Sequence, residues 1–205
     1  DLIVSEMDEV IPALVAAVQE QHATGDHYRD DAIRQAMEHQ AQLALRPGPV
    51  RVDVIVDPPW SDGQINSVQV VTGDRPFLVD TVASCLLRHG WRVEDVRHPI
   101  IGVKRDRGTI EAVGMPGRGG CASESWIHID ATAPLGTDIG QAAEQLRDDL
   151  CACLDQVVCA TDDWGAMHEA MLRTAELVSA SSGPADDRDS SRELLEWLAD
   201  DHFMY

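Results

Sequence analysis

The stretch TGDRPFLVDTVASCLLRHG, residues 72–90, decides the fold, because a strand pattern ends where it begins and a helical pattern follows. The preceding VQVV is typical of a β-strand. We expect Asp74 to cap the helix, Pro76 to lie in its first turn and Gly90 to follow its last turn. Helical spacing then predicts a buried stripe made of Val79, Val82, Ala83 and Leu86.

Alternating apolar and polar residues predict strands on both sides of this helix. They cover VRVDVIVD (50–57), INSVQVV (65–71), TIEAVGM after a turn at 106–108, and SWIHIDA (125–131). WRVEDVRHP and IIGVKRD are interpreted as one long or broken strand, with Pro99 at the break. In 125–131 the alternation places Ser125, Ile127, Ile129 and Ala131 toward the core and turns Trp126, His128 and Asp130 away from it.

A second crossover helix begins near 136–139 and continues through QAAEQLRDDLCACLDQVV. Residues 155–162 fit either a last strand or more helix, and the apolar stripe through Leu154 and Val157 favours helix. The order of elements predicts an α+β fold from about 50 to 160. This is a ferredoxin-like antiparallel sheet of four or five strands, with helices packed on one face.

Helices flank this core at both ends of the chain. Helical patterns at 5–20, starting near Ser5, and at 30–45 are expected to pack on the core, since alone they bury too little. The segment 181–191 is acidic and poor in apolar residues, which predicts a linker. The predicted organisation is N-terminal helices at 1–46, an α+β domain with a C-terminal helix at 47–180, and the start of another module at 192–205.

Composition limits the function. A formal net charge of −20 argues against nucleic acid, because a phosphate backbone attracts clustered lysine and arginine. The sequence contains no 18-residue apolar run and no signal peptide, so we expect a cytoplasmic protein without a membrane partner. The five cysteines show no paired spacing and are expected to be reduced, mostly buried thiols. The first residue is not Met and the last pattern is apolar, so we expect a fragment of a longer protein.

Catalytic motifs are missing from this sequence. No dinucleotide-binding GxGxxG opens a helix after a strand, and no P-loop, HExxH or GxSxG occurs. The glycine-rich GMPGRGG leads into a strand instead. We therefore expect no catalytic residue, no metal and no cofactor in this chain.

Several segments in order resemble a known family. DRPFLVDTV with the later RHG resembles the first strand–loop–helix of ACT domains, which commonly bind amino acids. The longer DRPFLVDTVASCLLRHGWRVEDVRHPIIGVKRD, ESWIHID, DDW–GAM and LLEWLADDHFMY resemble the N-terminal region of the large bacterial NAD-specific glutamate dehydrogenases. The likeness covers most of residues 28–205.

The resemblance implies an ACT-like regulatory domain in the 47–180 region. The parent enzyme would oxidatively deaminate glutamate to 2-oxoglutarate, with its NAD in a catalytic domain outside this chain. Expected partners are an amino-acid effector and the other domains and subunits of a homo-oligomer. One position departs from the ACT pattern: Phe77 stands where amino-acid-binding loops carry glycine, and a bulky side chain leaves a ligand less room.

The candidate ligand-binding residues are Gly73, Asp74, Arg75, Pro76, Phe77, Arg97 and His98. Gly73 permits unusual backbone angles, Arg75 and the helix N-terminus suit a carboxylate, and Asp74 suits an amino group. In the alternative interpretation, Asp74 only caps the helix and Arg75 makes a surface ion pair. A second alternative is a purely structural or oligomerisation module, with contacts through the exposed face of 50–57 and the regions of Trp126 and Trp164.

Overall fold

The computed structural model describes residues 2–3, 7–21, 30–61 and 63–202, so the predicted helix start at Ser5 lies outside the described residues. The strands are Leu2–Ile3 (β1), Val50–Ile55 (β2), Asn66–Gly73 (β3), Arg92–Arg97 (β4), Ile100–Asp106 (β5), Thr109–Gly114 (β6) and Ala122–Thr132 (β7). The α-helices are Met7–Gln21 (α1), Asp30–Ala44 (α2), Leu78–Arg88 (α3), Ile139–Asp162 (α4), Trp164–Ala180 (α5) and Ala185–Trp197 (α6). A π-helix, Leu198–His202, follows α6. The chain divides into two compact units, Asp1–Val157 and Val158–Tyr205.

The described strands form one antiparallel sheet in the order β1-β6-β5-β7-β3-β2, with β4 paired to β7. The long strand β7 pairs with β3 along one side. Its other side is shared by β5, opposite Ala122–Ser125, and β4, opposite His128–Thr132. Between these two strands the Pro99 carbonyl accepts a hydrogen bond of 3.0 Å from the Trp126 N–H. The predicted strand break at Pro99 is confirmed.

The unit β3–α3–β4 has β7 lying between its two strands, which is the split βαβ arrangement of a ferredoxin-like fold. On the far side of β3 the neighbour is β2, which precedes β3 in the chain. The helix α4 runs through to Asp162, so the helical interpretation of 155–162 is confirmed. The predicted α+β class is confirmed, and the described sheet contains seven strands rather than four or five.

Helices cover both faces of the sheet, and each face has its own apolar core. On one face α3 and α4 bury a cluster that includes Leu86, Leu146, Ile127 and Ile129. On the other face α1 and α2 bury Leu14, Met37, Val71 and Trp126. The flanking N-terminal helices therefore pack on the core as predicted, and they do so on the face opposite the crossover helices.

This second layer corrects the prediction for strand β7. Trp126, His128 and Asp130, expected to point away from the core, are all buried. Their alternation along the strand is as predicted, but the face they occupy lies beneath the N-terminal helices rather than toward solvent. Among the described helices none is both long and apolar enough to cross a membrane.

The second unit is built around α5 and α6. The Nε2–H of His168 in α5 donates a hydrogen bond of 3.1 Å to the Ala199 carbonyl, because a carbonyl oxygen can only accept. The predicted linker at 181–191 is wrong from Ala185 onward, because α6 begins there. Asp186 and Asp187 occupy its first turn, where the positive end of the helix dipole stabilises carboxylates. The proposed boundary at 192 falls inside this helix.

Candidate functional site

The loop between β3 and α3 forms a corner whose conformation is set by two backbone hydrogen bonds. The Asp74 N–H donates to the Ser123 carbonyl at 2.9 Å and ties the loop to β7. The Thr81 N–H donates to the Phe77 carbonyl at 2.9 Å and closes the first helical turn. The helix therefore begins at Leu78, and the predicted capping role of Asp74 is wrong, since Phe77 occupies the N-cap position without a side-chain cap.

Phe77, not Gly73, carries the unusual backbone angle of this corner. Phe77 has φ 70°, a left-handed conformation, whereas Gly73 ends strand β3 without a positive φ. The left-handed residue is the one at which ACT loops carry glycine, a residue that adopts this conformation without steric cost. Phe77 is 47% exposed, so about half of its surface is open to solvent.

Three polar side chains meet inside this corner, one each from the loop, β7 and the β4–β5 connection. The Ser125 hydroxyl donates to Asp74 Oδ1 at 2.6 Å. His98 Nε2 lies 2.9 Å from the same hydroxyl oxygen and must donate to it, because the serine proton is already used. Burial lowers the pKa of His98, and the charge of Asp74 opposes that shift.

These hydrogen-bond directions limit what the corner can do chemically. Ser125 cannot pass its proton to His98, so the arrangement is not that of a nucleophilic serine activated by a base. Next to Ser125 in the sheet register lies Thr72, which is 1% exposed and whose hydroxyl has no hydrogen-bond partner. The corner is a polar surface with the Asp74 carboxylate at its centre and the hydroxyl of Thr72, which has no hydrogen-bond partner, at its base.

Arg75 lies beside the end of β3, where its Nε donates to the Gly73 carbonyl at a long 3.4 Å. Asp74, Pro76 and Phe77 are exposed around it, and Gly73 and Arg75 are partly buried. Arg97 is not part of this group. It pairs in register with His128 and forms ion pairs with Asp130 and, at 3.3 Å, with Asp95.

Arg97 instead ends a buried polar row on the face beneath α2. His39 Nδ1 donates to Gln69 Oε1 at 2.8 Å, and Gln69 Nε2 donates both to the Ala36 carbonyl at 2.9 Å and to His128 Nδ1 at 3.1 Å. His128 Nε2 lies 3.1 Å from Asp130 Oδ1. This pattern is satisfied when the His128 ring is neutral, with its proton on Nε2.

The electrostatics of His128 agree with that assignment. Burial is the main cause that lowers the pKa of His128, and the nearby charge of Arg97 adds to the effect, while Asp130 opposes it. Both ring nitrogens of His128 have partners within the protein. The row joins α2 to the sheet, because Gln69 of β3 donates to the Ala36 carbonyl of the helix. Among the described residues no group of three or more His, Cys, Asp and Glu side chains is placed to hold a metal ion.

Comparison with known proteins shows the family of this chain. The family model described as "Glutamate dehydrogenase, ACT1 domain" matches residues 14–150, from α1 into α4. The chain belongs to the glutamate dehydrogenase ACT1 domain family. It is also similar to an NAD-specific glutamate dehydrogenase of Halomonas elongata, at 28% identity over 145 residues, which are 67% of this chain and 9% of that protein. The chain thus spans a small part of the relative's length.

The matched residues of this ACT1 domain include strands β2 to β7, the helices α2 and α3, parts of α1 and α4, and the corner. The sequence resemblance is therefore confirmed, and the family pattern extends to the N-terminal helices. Of the predicted ligand-binding residues, Asp74 and His98 meet through Ser125, with Arg75 and Phe77 close by in the chain. Sequence reasoning missed Ser125 and Thr72. The signal for both was a hydroxyl residue at a position whose strand alternation pointed to the core.

Proposed function

We propose that this ACT1 domain is a non-catalytic regulatory segment of a large NAD-specific glutamate dehydrogenase, and that it senses an amino acid at the β3–α3 corner. The parent enzyme would convert glutamate to 2-oxoglutarate with NAD bound in its separate catalytic domain. The family match supports the regulatory assignment. The observation that carries the sensing proposal is the corner itself, where Asp74, Ser125 and His98 meet at the start of α3.

The chemistry of the corner suits the two charges of an α-amino acid. Asp74 is exposed, and its carboxylate can accept from an ammonium group while it holds Ser125. The first turn of α3 offers N–H groups and the positive end of a helix dipole to a carboxylate, worth about 1 kcal/mol. Arg75, close to the end of β3, adds a charge-assisted hydrogen bond to that carboxylate.

Net charge narrows the ligand class. The chain carries a formal charge of −20, which repels anions at low ionic strength. A neutral zwitterion therefore binds with less electrostatic cost than glutamate or aspartate. We expect the preferred effector to be an amino acid without an acidic side chain.

The test is calorimetric titration of the chain with each of the twenty amino acids. A saturable response is expected for at least one, and both Asp74→Asn and Arg75→Ala should remove it. Arg118→Ala, at an exposed loop residue, is the matched control and should bind normally. Binding that survives both corner variants would place the site elsewhere, and silence toward all twenty would end the sensing proposal.

A second candidate is a structural module that joins domains or subunits and binds no small molecule. The observation that favours it is exposed apolar surface on the second unit, where Leu177 and Leu194 are more than half exposed. Strand β2 also has a neighbour on one side only in the described sheet. Sedimentation velocity separates the two candidates: concentration-dependent self-association without amino-acid binding supports assembly alone.

A further inference from the structure

Two cysteines, one on α3 and one on α4, belong to the same apolar cluster. Cys85 of α3 is fully buried, and Cys153 of α4 is partly buried against the same apolar cluster. Arg88, one turn after Cys85 on the same face of α3, donates from Nη2 to Cys153 Sγ at 3.1 Å. Arg88 and Cys153 also act on the pKa of the Cys85 thiol, which the positive charge of Arg88 lowers and Cys153 raises. Arg88, which follows Cys85 by one turn and contacts Cys153, therefore lies beside two cysteines that are distant in sequence.

The two thiols differ in the ways that a reacting pair requires. Cys153 is reachable from solvent, and a cationic N–H donor at a sulfur atom is a feature shared by redox-active cysteines. Cys85 is shielded from solvent, and burial raises the pKa of its thiol. Cys153 is thus positioned to meet an oxidant, while Cys85 stays protonated behind it.

We propose that Cys85 and Cys153 are a peroxide-sensitive thiol pair that closes to a disulfide between α3 and α4. In the first step the Cys153 sulfur attacks one oxygen of hydrogen peroxide and gives up its proton, the O–O bond breaks, and the leaving hydroxide takes up that proton, so that a sulfenic acid and water result. In the second step Cys85 attacks the sulfenic sulfur and loses its proton, and the hydroxyl leaves as water. Two thiols are oxidised and one peroxide is reduced to two waters.

The position of the pair gives this modification a consequence for the domain. The helix α3 begins at the β3–α3 corner and carries Cys85 and Arg88 in its last two turns. A disulfide would fix this helix to α4, since the sulfur atoms must come to about 2.05 Å apart. Arg88 would lose its hydrogen bond to the Cys153 thiol.

The experiment treats the full 205-residue chain with a small molar excess of hydrogen peroxide and then alkylates the remaining thiols. Proteolysis without reductant and mass spectrometry should recover a peptide from α3 linked to one from α4, about two mass units lighter than the sum of the two thiol peptides. Reduction should release the two peptides. The treatment should form no disulfide between chains, which a non-reducing denaturing gel checks.

Variants assign the link to the two sulfur atoms. Cys153→Ser should abolish it, while the double variant Cys151→Ser with Cys159→Ser, which changes the neighbouring cysteines of α4, should retain it. Cys85→Ser should trap Cys153 as a sulfenic acid that reacts with dimedone, and Arg88→Gln should slow link formation several-fold. The proposal is overturned if peroxide leaves both thiols open to alkylation, if it oxidises the chain without an α3–α4 link, or if Cys153→Ser still forms one.

Discussion

Phe77 has φ 70°, a left-handed backbone conformation that residues other than glycine rarely adopt. A non-glycine residue in this region stores about 1–3 kcal/mol of strain, whereas glycine has no Cβ to clash. Phe77 is about half exposed, so its replacement also loses the burial of the other half, worth about 2 kcal/mol. We expect Phe77→Gly to leave the free energy of unfolding within about 1 kcal/mol of the original value, because relief of the strain offsets the lost burial and the entropy cost of glycine in the unfolded chain.

Phe77→Val is the matched variant, because a β-branched side chain is the least compatible with a positive φ. It should lower the free energy of unfolding by about 1 kcal/mol. Urea unfolding followed by far-UV circular dichroism measures both. A valine variant as stable as the glycine variant would mean that the corner relaxes to another conformation.

Gly102 and Gly73 both lie in strands, but only one of them needs to be glycine. A Cβ at Gly102 would lie 2.4 Å from the Gly114 carbonyl oxygen and 2.5 Å from a backbone carbon of Met115. Backbone atoms cannot move aside as a side chain can, so Gly102→Ala should cost about 1–3 kcal/mol. A Cβ at Gly73 would meet only the Arg75 side chain, at 3.6 Å, which is ordinary contact.

Gly73→Ala is therefore expected to leave stability unchanged or to raise it by about 0.5 kcal/mol, as alanine replaces glycine in a strand. The comparison uses urea unfolding of the two alanine variants and the original chain. If the two variants lose equal stability, the close approach of the 114–116 backbone to Gly102 is not what sets the requirement there.

The polar corner shows why sequence predicts only part of a site at this scale. Asp74, Arg75 and His98 could be proposed because a strand–loop–helix pattern and a family resemblance point to them. The contact between Asp74 and His98 passes through Ser125, which is distant from both in sequence. That contact depends on the strand register between β3 and β7, which places Thr72 opposite Ser125, and no local pattern fixes a register between separate strands.

At the scale of elements, the helix α2 is bound to the sheet by polar contacts as well as apolar ones. Gln40 is 2% exposed, and its amide donates to the Ile127 carbonyl at 2.9 Å. Gln69 reaches back to the Ala36 carbonyl of the helix at 2.9 Å. Buried amides of this kind fix the position of one element against another, because each loses its partners if the helix shifts.

The buried row beneath α2 makes stability depend on pH. Burial lowers the pKa of His128 below its ordinary value of 6.5, so the folded chain leaves this ring neutral where the unfolded chain protonates it. The unfolded state then binds more protons, and its free energy falls as the pH falls below about 6.5. The contribution of His128 to the free energy of unfolding is fully present above pH 6.5. It is lost as the pH falls toward the pKa of His128 in the folded chain, by at most about 1.4 kcal/mol per pH unit.

His128→Gln should reduce this slope, since glutamine can accept from Gln69 and donate to Asp130 but does not titrate. Urea unfolding at several pH values between 7.5 and 5.5 measures it in the original chain and the variant. Some slope should remain, because burial lowers the pKa of His98 too. The facing charges of Asp130, Arg97 and Asp95 are unchanged in the variant. A variant with the full original slope would show that His128 does not carry the effect.

The two faces of strand β7 mark the limit of what periodicity predicts for an element. Alternation correctly separated Trp126, His128 and Asp130 from Ile127 and Ile129, because successive side chains point to opposite faces. Alternation could not predict that the face with Trp126, His128 and Asp130 is also covered by helices. The apolar stripes of the N-terminal helices predicted that they pack on the core, but the choice of face depends on the chain path between α2 and β2.

At the scale of the whole molecule, the two compact units differ in how much core each contains. Both apolar clusters lie within the first unit, Asp1–Val157. In the described part of the second unit, the buried apolar side chains are Ala175 and Ala199. Helices with so little burial are marginal alone in water, because packing supplies most helical stability in proteins. The first unit should therefore fold without the second.

A fragment of residues 1–162, which ends where α4 ends, tests this directly. Its melting temperature should lie within about 3 °C of the full chain, a shift that corresponds to roughly 1 kcal/mol in a protein of this size. Tryptophan fluorescence reports the packing, because the cut removes the exposed Trp164 and Trp197 and retains the fully buried Trp91 and Trp126. The mean emission should therefore move to shorter wavelength. A fragment that melts without a cooperative transition, or whose emission moves to longer wavelength, would show that the sheet and its two helical layers depend on the second unit.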